Sequence, residues 1–177
     1  MCDGELVFDL DIHLDYINPD LLSYINVERF IGKRLTIACQ PEMHLEIRKS
    51  DKKYANENIY SEKLRPQIHF SAKRGWLNDP NGLFYYNGTY HLFFQHNPAG
   101  CQWGNMHWGH AISTDLIHWE ELECALYPDK LGTVFSGSAV VDYQNVTGLK
   151  RGNYDPIILF YTAAGGSSLL SKDQKFT

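Results

Sequence analysis

The chain has 177 residues, a formal net charge of -5 and a hydrophobic fraction of 44%, enough to bury a core in one or two domains. It carries no lysine or arginine cluster, so nucleic acid is excluded as the expected partner, and no apolar run approaches the ~18 residues of a membrane span. Cys2, Cys39, Cys101 and Cys124 form no Cys-x-x-Cys pair and fit no zinc spacing; they read as reduced structural thiols, and neither metal nor cofactor is expected.

The opening "MCDGELVFDL" lacks the basic start and long apolar stretch of a signal peptide. Residues 7–16 then alternate strictly: Phe8, Leu10, Ile12, Leu14 and Tyr16 against Asp9, Asp11, His13 and Asp15. Period two predicts a half-buried strand with a solvated acidic face. The Asp-x-Asp pattern lacks the glycine and distal glutamate of a calcium loop. "LLSYINV" and "RLTIACQ" predict two more strands around Gly32, and residues 49–63, charged and poor in apolar side chains, read as a linker.

From Leu64 the composition changes. "LFYYNGTYHLFFQ" sets two aromatic strands around Asn87-Gly88, a strong hairpin signal. "HWGHAIST", "LIHWEELE", "FSGSAVVDY" and "IILFYTAA" follow as short strands between turn residues, with no helical periodicity. Such spacing predicts a sandwich, a barrel or propeller blades. His107 and His110, three apart in a strand, point to opposite faces and make a poor metal pair.

The stretch "WLNDPNG" places one acidic residue, Asp79, in a run of turn formers behind a tryptophan. Taken alone it is a structural Asx turn. It also suits a nucleophilic carboxylate: Pro80 biases Asp79 toward extended backbone, Asn78 and Asn81 offer amide donors, and Gly82 permits close approach.

The segments "WLNDPNGLFYYNGTYHLFFQHNP", "WGNMHWGHAISTDLIHWEEL", "ALYPD" and "FSGSAVVD", in that order, resemble glycoside hydrolase family 32, the β-fructosidases that include invertases, levanases and inulinases. The resemblance runs from about Arg65 to Thr177. It implies an all-β fold, the first one to two blades of a five-bladed β-propeller, preceded by part of a small β-module. The domain reading is 1–48 for that module, 49–64 for the linker and 65–177 for the incomplete propeller. It implies retaining cleavage of a terminal β-fructofuranosyl unit, with Asp79 as nucleophile. Asn78 and Gln95 would hydrogen-bond fructose hydroxyls, Trp103 would line the sugar subsite, and Phe135 and Ser136 would complete the wall. The implied partner is a fructose-containing saccharide: sucrose, levan or inulin. Relatives that use levan are commonly exported and those that use sucrose phosphate are cytosolic, so the compartment stays open.

The family's acid/base lies in a Glu-Cys pair after an Arg-Asp-Pro motif. Glu123-Cys124 precedes "FSGS" and so reads as a loop pair, and no Arg-Asp-Pro occurs in the 177 residues. At ~40–50 residues per blade, the expectation is a β-fructosidase part, inactive alone, that self-associates or is completed by another chain. The alternatives are a noncatalytic fructan-binding or structural module and a propeller hydrolase directed at arabinans or xylans.

Overall fold

The computed structural model describes residues 1–12, 23–42, 46–50 and 59–177. From Trp76 the chain forms six strands: β1 (Trp76–Tyr86), β2 (Thr89–Asn97), β3 (His107–Ser113), β4 (Glu120–Glu121), β5 (Thr133–Val141) and β6 (Ile157–Ala164). β1 to β4 make an antiparallel sheet in sequential order, and β5 and β6 make a second antiparallel pair. A four-stranded antiparallel meander is the form of a propeller blade. β5 lies against β1, so the two sheets are neighbours.

The Asn87-Gly88 hairpin forms as the sequence predicts. Tyr86 pairs with Thr89 across it, and both turn residues have positive φ, 49° and 82°. That is the backbone of a type I′ turn, whose twist matches the strands it joins.

Alternation along β2 builds two cores. Leu92 and Phe94 face one way, with Ala72 and Ala111, under Phe70, Leu77 and Trp119. Phe93 faces the other way with Trp108 and Val134, and Phe84, Leu126, Ala139 and Leu159 pack around them. The second cluster glues the sheets together, because Val134 and Leu159 belong to the β5–β6 pair. Each such side chain contributes about 1.5–3 kcal/mol on burial. Trp108 is fully buried, and its indole N–H donates to the Phe135 carbonyl at 2.9 Å.

Four expected strands are absent or shortened among the described residues. Residues 7–12 join no ladder, and 13–16 lie outside the described residues. The acidic face there is not simply solvated: the Asp9 carboxylate accepts the Leu169 and Leu170 backbone N–H groups at 3.0 and 3.2 Å. Of the two strands around Gly32, "RLTIACQ" supplies a single bridge, Leu35 to Cys2. "LLSYINV" runs, in its described part, into a 3-10 turn at Glu28–Phe30. Alternation licenses a strand only where a partner takes up its backbone groups. "LIHWEELE" shrinks to Glu120–Glu121 because Asp115 accepts the N–H groups of Ile117 and His118, at 2.9 and 2.7 Å, and holds that stretch in a turn. The four cysteines are free thiols.

Candidate active site

Two bulges bring the site together. On β1, Leu77 pairs with His96 and Pro80 with Phe94, so Asn78 and Asp79 together face Gln95. An extra residue on one strand re-aims the side chains there. Proline interrupts no ladder at this place, because β1 is the edge of its sheet. On β5 the register slips in the same manner: Val134 pairs with Ala163 and Gly137 with Tyr161, leaving Phe135 and Ser136 against one residue. Each strand thus bends out where its polar residue stands. The Ser136 hydroxyl donates to Asp79 Oδ2 at 3.0 Å across the junction of the sheets.

Three donors hold the Asp79 carboxyl below its ordinary range: first the Asn78 side-chain amide, then the Ser136 hydroxyl, then its own backbone N–H. Among the described residues no second carboxyl acts on it. The Asn78 amide is oriented by its neighbour, because Trp76 Nε1–H donates to Asn78 Oδ1 at 2.8 Å and leaves the NH₂ end for Asp79. Trp76 is itself pinned: its N–H donates to the Gly100 carbonyl at 2.9 Å, and its carbonyl meets His96 Nδ1 at 2.9 Å.

The other expected residues gather around this pair in different ways. Gln95 is 3% exposed, and its Nε2 donates to the Val134 carbonyl at 3.0 Å. It stands behind the bulge and ties β2 to β5. Trp103 is 58% exposed and meets the Phe135 ring edge-on, centroids 6.1 Å apart. Phe135 in turn meets Phe176 edge-on at 5.7 Å. Asn81 serves the backbone rather than the carboxylate. It is buried, and its amide donates to the Asp79 carbonyl at 3.2 Å.

Leu122 and Ala125 bond to the outer side of β3, through the carbonyls of His110 and Trp108. Glu123 therefore lies in the fourth strand position, roughly 14 Å from β1 at ~4.8 Å per strand. That is too far to partner Asp79 in retaining chemistry, which needs about 5 Å. His107 meets Tyr127 edge-on, whereas His110 stacks on Phe93 and contacts His91 on the other face. No group of three or more metal-ligating side chains occurs among the described residues. A shallow recess between Thr89, Ile112 and Trp119 lies at the hairpin end and contains none of the site residues.

Trp76 is the participant that the motif alone did not reveal. A signal existed: residues i and i+2 of a strand share a face, so an indole two positions before an asparagine can reach its amide.

Residues 69–175 match the glycosyl hydrolases family 32 N-terminal domain. Over 108 residues the chain is 56% identical to the levanase of Bacillus subtilis (strain 168), covering 61% of this chain and 16% of that protein. Over 117 residues it is 47% identical to the invertase of Schizosaccharomyces pombe, covering 62% of this chain and 20% of that one. Its structure resembles that of the Aspergillus awamori exo-inulinase, with a TM-score of 0.54, 52% identity, and coverage of 58% of this chain and 21% of the other. The chain thus spans about a fifth or less of the relatives it matches. The likeness assigns the meander to a β-propeller, and with a family match over more than half its length the chain belongs to glycosyl hydrolase family 32.

Proposed function

We propose that this chain carries the nucleophile-bearing part of a retaining β-fructofuranosidase acting on terminal fructosyl units of sucrose, levan or inulin. One observation carries the reading. Asp79 is an exposed carboxylate kept ionised by the Asn78 amide and the Ser136 hydroxyl, at the meeting point of two bulged strands. An ionised carboxylate with a free face attacks the anomeric carbon, the leaving oxygen takes a proton from a general acid, and water then hydrolyses the fructosyl-enzyme bond. Asn78 and Ser136 satisfy hydroxyls, with Gln95 bracing the bulge behind them. Trp103 and Phe135 present ring faces and edges to the sugar's C–H surface. The relatives' names, levanase and invertase, support the substrate class. So does a solved fructofuranosidase from Schwanniomyces occidentalis in complex with fructose, 48% identical with a TM-score of 0.54.

The general acid is not among the described neighbours of Asp79, so residues 1–177 alone bind fructosides without turning them over. Calorimetry with sucrose and a short levan oligosaccharide tests this. The expected result is weak binding, lost in Asp79→Asn, with no release of fructose. Turnover by the purified chain that Asp79→Ala abolishes overturns the inactivity. Binding indifferent to both Asp79 and Trp103 overturns the site. We further propose that more strands, from elsewhere in the protein or from another copy, cover β6. Among the described residues β5 is the one strand that pairs with β6, whose outer edge is met by Thr177 at Ala163, and Val140 and Phe160 stand exposed on that sheet.

A further inference from the structure

We propose that Asn105 is a positioning residue that fixes the Trp103 wall by clasping the Asp9–Asp11 segment to the loop between β2 and β3. The inference rests on the reading of Trp103 as part of the sugar wall.

The Asn105 side chain acts like one residue of a partner strand. Its Oδ1 accepts the Asp11 N–H at 2.8 Å, and its Nδ2 donates to the Asp11 carbonyl at 2.7 Å. These partners are 94 positions apart in sequence. The same Nδ2 donates to Asn97 Oδ1 at 3.2 Å. Asn97, 2% exposed, closes the loop from inside: its Nδ2 donates to the Gln102 carbonyl at 2.9 Å, and its Oδ1 accepts the Ala99 N–H at 3.1 Å. The loop bearing Trp103 is therefore held at both ends by two asparagines, one of them anchored outside the sheet.

The segment that Asn105 grips is itself fixed at a second place. Two residues before Asp11, the Asp9 carboxylate takes the N–H groups of Leu169 and Leu170. Those residues lie in the turn after β6, on the way to Phe176, whose ring backs Phe135. Residues 9–11 thus run from the turn after β6 to the loop that bears Trp103. The two rings that meet edge-on at the wall are braced from outside by one short strap. An exposed indole owes its fixed direction to such bracing, because burial does not supply it.

The deciding experiment needs no ligand. Asn105 has φ 46°, so Asn105→Gly removes the side chain while favouring the same backbone. Hydrogen exchange of the amides in 99–104 is expected to quicken about tenfold, while the Asn87-Gly88 hairpin exchanges as before. Acrylamide quenching of the Trp103 emission, isolated by difference against Trp103→Phe, is expected to rise in step. Asn105→Asp keeps the acceptor for Asp11 N–H and loses both donations, so it should fall between the two; it also serves if the glycine variant does not fold. Exchange at 99–104 and Trp103 quenching that match the unsubstituted chain in either variant overturn the proposal. Saccharide binding by the unsubstituted chain judges the Asp79 reading separately, so the two failures remain distinct.

Discussion

Replacing Gly82 by alanine tests whether the bulged path of β1 is imposed by its packing. Gly82 lies in the second slip of β1, between the pairs Asn81–Phe93 and Phe84–His91. Its φ is 55°, and a Cβ there would stand 2.8 Å from Phe93 Cδ2 and 3.1 Å from Trp108 Cζ3. Ordinary carbon contacts are about 3.5–4.0 Å, so the overlap is at least roughly 0.7 Å against the Phe93 ring and about 0.4 Å against Trp108. Left-handed backbone costs an L-residue about 1–2 kcal/mol, and overpacking a core adds about 1–3 kcal/mol. Reduced freedom of the unfolded chain returns about 0.4–1 kcal/mol. The net loss is centred near ~3 kcal/mol, or roughly 6–12 °C in Tm for a chain of this size. Gly88→Ala is the internal control, since Gly88 has φ 82° and nothing within 4 Å of its added Cβ. It meets the conformational cost without the clash and should lose only about 1 kcal/mol. Urea denaturation of both variants reads the difference. Equal losses at the two glycines would refute the argument that Phe93 and Trp108 close on the backbone at Gly82.

Ser136→Ala removes one donor from Asp79; the carboxyl should then titrate at higher pH than in the unsubstituted chain, as followed by carbonyl NMR, and an unchanged titration would remove Ser136 from the site. Acid should weaken the fold through two histidines. Burial pushes His107 and His110 down to about 4, below the ~6.5 of an unfolded chain. The unfolded state therefore binds more protons between those values, and stability declines as pH falls from ~6.5 toward 4, then levels off. Urea midpoints at pH 7.5 and 5 check the sign, and a rise on acidification contradicts it. Trp103→Ala, at an exposed position, should shift Tm by no more than a few degrees while weakening fructoside binding measurably; a large Tm loss would make the ring a core element instead.

Much of the second half was legible because its local signals agree. Asn87-Gly88 demands a type I′ turn, and the flanking aromatic runs alternate in phase with it. β6 begins and ends where "IILFYTAA" does. The motif around Asp79 suggested the chemistry proposed for it, but its geometry was not legible. Pro80 and Gly82 hint at an interrupted ladder, yet only the opposing strand shows that Asn78 and Asp79 share Gln95 as partner. The matching slip at Phe135 and Ser136 has no proline to announce it. Gln95 read as a ligand-facing amide, and the fold commits one of its N–H groups to Val134. The first half misled for a different reason. Period two describes a backbone that wants a neighbour, and residues 7–12 found side chains instead: Asn105 for Asp11, with the Asp9 carboxylate taking N–H groups from the turn after β6.

The carboxylate and the hydroxyl that steadies it stand on separate sheets, joined at this level by the Gln95 and Trp108 bonds to the β5 backbone. Neither sheet holds both members of that pair. A slide of an ångström between them parts the pair while every ladder stays intact, so fructoside binding should vanish on warming before circular dichroism records any melting.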